Sequence, residues 1–443
     1  MKSYWMKSGV LSLLSNGATL GFAFLTFLIL VRVMSQEDFG IWVLYLTVTN
    51  FADIIRNGIT QNALIKFLEG GKTEDYRKIV TASFFLNTAT AVISFLVIWA
   101  LAGPLARIWE VEVLEPMLLL FGVVLIFQSP LTFLQFLSMA NLDFTKRFWS
   151  VILYTGSYFA LVVIFVLWRG TVQLLELPLL MAAGSALSLL VTVWQNRSYF
   201  KLRWPLDWSW VKTLFHFGKY VVGTNFSSML FNRIDIMMIG FFLNPNLVAL
   251  YNVPTRVGNY VEVPMNSVAL IVFPQVSLRI KEQGMDAARY LWERSIGVLL
   301  AMVIPMAILL FIFAEPIVVL IAGEAYRDAA PIMRLFAVLS IIKPFGRQGG
   351  IIMDSIGKPN VNFYLLLASL VINVILNWLF IVNFGVIGAV IATMISVLIS
   401  TTLSFLTLHH LIDVKASHPW IYFIHSYKQA WQRLKSEIQK RRA

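Results

Sequence analysis

The 443-residue chain contains no cysteine, which excludes disulfides, thiolate nucleophiles and thiolate metal sites. It is also short of charge: Asp, Glu, Lys and Arg make up 13% of residues, against roughly a quarter in an average soluble domain. Five histidines, His216, His409, His410, His418 and His425, fall at helix ends or in the C-terminal tail, and no nearby carboxylate cluster has metal spacing. Long polar connections are missing too. No stretch between apolar runs exceeds about twenty residues, which leaves no room for a soluble catalytic or nucleotide-binding domain. "EGGKT", 69–73, has glycines beside a lysine, but a phosphate loop needs its first glycine at position 66, which is Lys66. The segment also follows an apolar helix instead of a strand. No nucleotide, cofactor or metal is expected beyond a coupling ion, H+ or Na+.

What is present is apolar text. Apolar residues are 58% of the chain and the mean hydropathy is +0.76, the composition of an integral membrane protein. The runs are long and unbroken, not alternating, so the spanning elements are helices and not barrel strands. About twelve spans are expected, near 8–31, 40–66, 79–103, 113–138, 148–168, 173–195, 215–243, 249–276, 293–322, 330–353, 360–382 and 385–410. The first is too long for a signal-peptide core and lacks a cleavage site after it, so it reads as a retained span. Pro130, Pro178, Pro254, Pro264, Pro305 and Pro344 fall within spans and would kink them.

Charge sets the orientation. Lys66, Lys72, Arg77 and Lys78 mark one connection, Arg197, Lys201, Arg203, Lys212 and Lys219 another, and Arg279, Lys281, Arg289 and Arg294 a third. The intervening connections are neutral or acidic: Arg32 with Glu37 and Asp38, Arg107 with Glu110, Glu112 and Glu115, Arg169 with Glu176, and Glu324 with Arg327 and Asp328. An even number of spans with both termini cytoplasmic satisfies every one. The net charge of +12 thus collects on one side of the membrane and calls for no nucleic-acid partner. In the tail, Trp420, Ile424, Tyr427, Trp431, Leu434 and Ile438 recur every three or four residues, with Lys428, Arg433, Lys435 and Lys440 largely on other faces. Such a helix can lie among anionic headgroups, the alternative being an unattached basic tail.

Shifting the chain on itself by 209 residues superposes Asn16 on Asn225, Trp42 on Tyr251, Asn50 on Asn259 and Asp53 on Glu262, and "MSQEDFGIW" on "LNPNLVALY". The shift equals six spans, an even number, so the halves run parallel. The expected fold is an all-α polytopic membrane protein of two parallel six-helix lobes around a central cavity. The lobes are 1–200 and 215–412, joined by a basic, Trp-rich linker at 201–214 and followed by a tail at 413–443.

Polar residues interrupt the apolar text in stripes. On the second span Asn50, Asp53, Asn57 and Gln61 share a face, with Arg56 and Thr60 beside it. The seventh carries Asn225, Ser228, Asn232 and Asp235 in line with Arg233 to one side, and the eighth Asn252, Arg256, Asn259 and Asn266 with Glu262 at the edge. Facing lipid these groups would be costly, so they line water or ligand, or else bond helix to helix. Arg56, Arg233 and Arg256 are candidates for an anionic ligand, and Asn50, Asn57, Gln61, Asn225, Asn232 and Asn259 for its polar remainder. Asp53, Asp235 and Glu262 are candidates for coupling to an ion.

"FGKYVVGTNFSSMLFNRIDIMMIGFFLNPNLVALYNVPTRV" (217–257), "FPQVS" (273–277), "GKPNVNF" (357–363) and "NFGVIGAVIATMIS" (383–396) resemble the second lobe of Wzx-type oligosaccharide flippases. These belong to the multidrug/oligosaccharidyl-lipid/polysaccharide (MOP) exporter superfamily, and the resemblance extends over essentially the whole chain. It implies a non-enzymatic flippase in a bacterial inner membrane that moves an undecaprenyl-pyrophosphate-linked glycan by alternating access. Membrane lipids, a polysaccharide polymerase and chain-length machinery would be its partners. In the related lipid II flippases arginines of the second and eighth spans line the cavity, and Arg56 and Arg256 stand on those spans. A multidrug antiporter and a membrane-embedded polymerase or ligase are the alternatives.

Overall fold

The computed structural model describes residues 2–68, 71 and 73–442. Lys72 and most of "EGGKT" lie outside the described residues, as do the side chains of Asn266, Lys281, Arg433, Leu434, Ile438 and Lys440. Every regular element among the described residues is a helix. In order they are α1 (Lys2–Val33), α2 (Gln36–Leu68), α3 (Tyr76–Ile108), α4 (Leu114–Ala140), α5 (Phe144–Arg169), α6 (Glu176–Asn196) and α7 (Trp208–Phe242). There follow α8 (Pro245–Val261), α9 (Val263–Gln283), α10 (Met285–Ile312) and α11 (Ala314–Ala322), a 3-10 turn at Glu324–Ala329, α12 (Ala330–Ser355), α13 (Pro359–Ile412) and α14 (His418–Arg442).

Nine helical stretches among the described residues are long and apolar enough to cross a membrane. One of them, α13, has 54 residues, enough for two passages, and bends at Gly385, whose φ of 61° an L side chain rarely adopts. Hydrogen bonds from Ser369 to Ser400 (2.8 Å) and Asn373 to Ser396 (3.3 Å) pair its arms as antiparallel neighbours. α8, with 17 residues, is by itself short of the roughly 20 that a span needs.

The eighth span, expected to be continuous over 249–276, is broken at Glu262. The Glu262 N–H reaches the Asn259 carbonyl at 3.1 Å in a tightened turn, and Pro264 has no N–H to offer the Tyr260 carbonyl. The ninth, expected over 293–322, starts earlier at Met285 and breaks at Phe313, just before Pro316. Elsewhere proline is absorbed: α4, α8, α10 and α12 run unbroken through Pro130, Pro254, Pro305 and Pro344.

The 209-residue repeat is visible in the helix boundaries. α1 ends at Val33 and α7 at Phe242; α2 starts at Gln36 and α8 at Pro245; α3 starts at Tyr76 and α10 at Met285. The turns are closed by the same device. Ser35 Oγ accepts the Asp38 N–H at 3.0 Å, and its counterpart Asn244 Oδ1 accepts the Leu247 N–H at 3.0 Å, each satisfying an orphan donor of a helix start.

Contacts divide the chain into two compact units, one of Met1–Met229 with Asn244–Ala249, the other of Leu230–Leu243 with Leu250–Ala443. In the first, Leu64, Leu68, Ile79, Val80, Leu137 and Phe133, all 0% exposed, pack α2, α3 and α4 together with Leu214 of α7. In the second, Val276, Ile296, Leu300, Ile352 and Leu408 join α9, α10, α12 and α13 around Trp292. Lipid is as apolar as these side chains, so close van der Waals contact and polar bonds hold such helices together. Small residues permit the approach: a Cβ on Gly218 would lie 2.5 Å from the Ile59 carbonyl oxygen. Outward, Leu167, Trp168 and Leu190 are more than two-thirds exposed, as lipid-facing residues are.

The tail forms α14, which lies on α10. A Cβ on Gly297 would come within 2.5 Å of Tyr422 Cβ, Tyr427 donates to the Ala301 carbonyl at 2.8 Å, and Glu293 faces His418 Nδ1 at 2.8 Å. Trp420, Ile424, Tyr427 and Trp431 stay exposed along the helix, an apolar ridge with Lys428 and Lys435 nearby.

Candidate functional site

Each unit holds a polar cluster inside otherwise apolar helices. In the first, Arg56 is 0% exposed and its guanidinium is committed on two sides: Nη2 donates to Asp53 Oδ1 at 2.8 Å and Nη1 to Thr132 Oγ1 of α4 at 2.6 Å. The i to i+3 spacing on α2 puts Asp53 one turn below the arginine. Thr132 hands its own proton back to the Gln128 carbonyl at 2.9 Å, leaving its lone pairs free for Arg56. Nearby, Asn87 of α3 donates to Ser129 Oγ at 2.8 Å and Gln128 to Tyr154 of α5. The Nε of Arg56, Oδ1 of Asn57 and Oγ of Thr60 are buried with no hydrogen-bond partner, so the cluster has unused capacity for water or ligand.

The rest of the α2 stripe is more open. Asn50 is exposed and bonded to its own helix through the Leu46 carbonyl, while the Asp53 side chain is 21% exposed and Asn57 and Gln61 are half-buried. On α7, Asn225 and Asn232 are exposed and Arg233 is half-buried; on α8, Asn259 is exposed and Arg256 half-buried.

In the second unit Asp235, 5% exposed, is the centre of a closed cluster. Oδ2 accepts from Tyr251 Oη at 2.6 Å and Thr393 Oγ1 at 2.7 Å, and Oδ1 from Asn377 Nδ2 at 2.8 Å. Asn377 also donates to the Asn373 carbonyl one turn back, and the Oδ1 atoms of Asn252, Asn373 and Asn377 are left unpartnered. Hydrogen bonds thus satisfy both oxygens of a carboxylate that has no cation within ion-pair distance among the described residues. Glu262, at the helix break, forms an ion pair with Lys343 of α12.

Several members of these clusters lie outside the stripes named from the sequence. Gln128, Thr132 and Gln135 recur at spacings of four and three on the fourth expected span, an uncharged stripe that could have been found, while Asn87 stands beside Thr88 on the third and takes its role from Ser129 across the helix contact. Asn373 and Asn377 carry a signal that could have been found, two amides four apart in the eleventh expected span. Lys343 carries another, a cation inside the tenth.

Comparison with known proteins follows the same lines. Residues 29–331 match the model of the polysaccharide biosynthesis protein family. The chain is 25% identical over 210 residues to the probable low-salt glycan biosynthesis flippase Agl15 of Haloferax volcanii, covering 47% of this chain and 44% of that one. It is 25% identical over 331 residues to the succinoglycan biosynthesis transport protein ExoT of Rhizobium meliloti, covering 74% and 64%. These matches therefore span less than two thirds of either relative's length. Among solved structures, an inward-facing multidrug resistance MATE family transporter of the MOP superfamily superposes with a TM-score of 0.77 at 14% identity, over 90% of this chain and 96% of that one. The lipid II flippase MurJ in an inward closed conformation superposes with a TM-score of 0.75 at 13% identity, over 97% and 93%. At such identities the likeness is one of fold.

Proposed function

The chain belongs to the polysaccharide biosynthesis protein family, and from that membership we propose that it flips a lipid-linked oligosaccharide from one leaflet of its membrane to the other. Our finer reading is an undecaprenyl-pyrophosphate-linked glycan carried from the cytoplasmic to the outer leaflet of a bacterial inner membrane by alternating access. There it would supply a polysaccharide polymerase and its chain-length machinery. The observation that carries this is the chemistry of the stripes: exposed or half-buried amides and arginines on helices that otherwise read as lipid-facing. A glycolipid of this kind keeps its polyprenyl tail in hydrocarbon while its sugars and pyrophosphate need a polar path.

The roles divide by exposure. Arg233 and Arg256, half-buried, would take the pyrophosphate through the planar forks of their guanidinium groups. Asn50, Asn57, Gln61, Asn225, Asn232 and Asn259 would exchange hydrogen bonds with glycan hydroxyls. Arg56, in the other unit, is a further candidate for an anionic group through its unpartnered Nε, or by exchanging Asp53 for the ligand. Asp235 is the preferred coupling carboxylate, because it has no cation within ion-pair distance among the described residues, and Asn377, which donates to it, can turn its unpartnered Oδ1 to accept the hydrogen bond of a protonated carboxyl. Asp53 and Glu262 already neutralise Arg56 and Lys343.

The test is reconstitution in vesicles with a lipid-linked glycan whose sidedness is read by a membrane-impermeant lectin. Flipping moves the glycan between leaflets at constant chain length and depends on Arg256. Chain elongation would mean a polymerase, and efflux of cationic drugs with no movement of glycan would mean an antiporter; either would overturn the proposal.

A further inference from the structure

The start of α3, the end of α4 and the 197–207 connection enclose a cavity of about 560 Å³ at the basic end of the first unit. Its floor is a fixed lattice: Tyr76 Oη donates to the Tyr199 carbonyl at 2.9 Å and accepts from Asn141 Nδ2 at 3.0 Å. Arg77, Lys78, Lys201 and Arg203 line it, against the single carboxylate of Glu74. Lys78 is spoken for, 2.8 Å from Asp75 and 3.8 Å from Asp207. Asp207 in turn is held below the usual carboxylate range by its hydrogen bonds with Ser209, chiefly from the hydroxyl, and caps the start of α7. Asp143 is engaged by Tyr199 Oη at 3.2 Å and by Lys146. Among the described residues Arg77, Lys201 and Arg203 have no carboxylate within ion-pair distance, and the Arg203 backbone is pinned by its N–H to Thr81 Oγ1 at 2.8 Å.

Among the described residues, three cations without an ion-pair partner line one cavity against the lone carboxylate of Glu74, an excess of positive charge arranged for an anion with several oxygens. Exposed tryptophans on the segments that form the cavity point to where that anion comes from. Trp194 near the end of α6, Trp204 in the 197–207 connection and Trp208 at the start of α7 are 66%, 70% and 59% exposed, as aromatic residues at a membrane–water interface are. Basic pockets between helix ends on the positively charged side of a membrane protein recognise anionic headgroups. We propose that this cavity binds the phosphate headgroup of an anionic phospholipid from the leaflet on the basic side. Arg77 and Arg203 hold the phosphate, Lys201 adds charge, and Ser198 lies within the same cavity to meet a headgroup hydroxyl.

Native mass spectrometry of delipidated protein, titrated with phosphatidylglycerol or phosphatidylcholine in neutral micelles, tests this. Saturable retention of phosphatidylglycerol over phosphatidylcholine is expected. The double variant Arg77→Gln/Arg203→Gln should weaken it by about 25-fold, on the order of fivefold or about 1 kcal/mol per cation. Glu74→Gln should tighten it, and Lys428→Gln/Lys435→Gln, which removes the same charge from α14, should leave it unchanged. Equal affinity in the wild type and the Arg77/Arg203 variant would overturn the proposal, as would an equal loss in the α14 variant. Displacement by an equal concentration of glycerol phosphate would also overturn it, in favour of a soluble phosphate ligand. If the double variant loses monodispersity, Lys201→Gln and Glu74→Gln decide: unchanged affinity in both refutes the site.

Discussion

The pair of Arg56 and Asp53 makes a quantitative prediction because its two halves are unequally buried. Asp53→Asn removes the counter-charge of a guanidinium at 0% exposure, leaving it only neutral acceptors, Thr132 and the new amide oxygen. An uncompensated buried charge of this kind costs about 3–5 kcal/mol. Arg56→Gln leaves instead a carboxylate whose side chain is 21% exposed and can draw on water, so the expected cost is that of a charged hydrogen bond, about 1.5–3 kcal/mol. The double variant Asp53→Asn/Arg56→Gln removes both charges together and should cost only about 1 kcal/mol, since an amide pair can still bond across the same turn. The cycle therefore predicts a coupling of several kcal/mol, read by unfolding in mixed micelles with increasing SDS. The reasoning is refuted if Asp53→Asn is no more damaging than Arg56→Gln, or if the single effects add within about 0.5 kcal/mol. Glycolipid delivery in cells making the same variants answers a separate question. Normal delivery by the double variant would remove the anion-binding role proposed for Arg56.

Asp235→Asn should keep the fold, because Asn377 can turn its unpartnered Oδ1 toward the new amide, and should abolish the response of transport to an imposed ion gradient; a retained response would move coupling elsewhere. Gly218→Ala should destabilise by about 1–3 kcal/mol in SDS unfolding, since its Cβ would sit 2.5 Å from the backbone oxygen of Ile59, which cannot give way alone. Gly297→Val should lift α14 from α10, seen as faster proteolytic loss of the tail with the remaining chain intact. Reporter fusions at Lys201 should read cytoplasmic and at Glu112 external, and a cytoplasmic signal at Glu112 would overturn the charge-based orientation.

Much of the architecture is a local property and was legible for that reason. Length and apolarity of a run decide whether it can cross a bilayer, and the turns between runs are closed by residues in them: Ser35 and Asn244 cap α2 and α8 at matching places in the repeat. Even the break before α9 has a local cause in Pro264. The stripes were legible as faces, since 100° per residue follows from helix geometry alone.

Which neighbour a face meets is not a local property. Arg56 and Asn57 are adjacent in sequence and 100° apart on α2, yet that rotation separates full burial against α4 from a half-open surface. Asp235 receives Asn377 and Thr393 from 142 and 158 residues away, and Glu262 meets Lys343 across 81. No periodicity within α7 or α8 contains that information. The sequence by itself determined the helices, their repeat and the sparse polar residues that an apolar chain must satisfy. Only the tertiary structure decided which of those residues are spent on one another, because in hydrocarbon each must find a partner and the partner is chosen by how the helices pack.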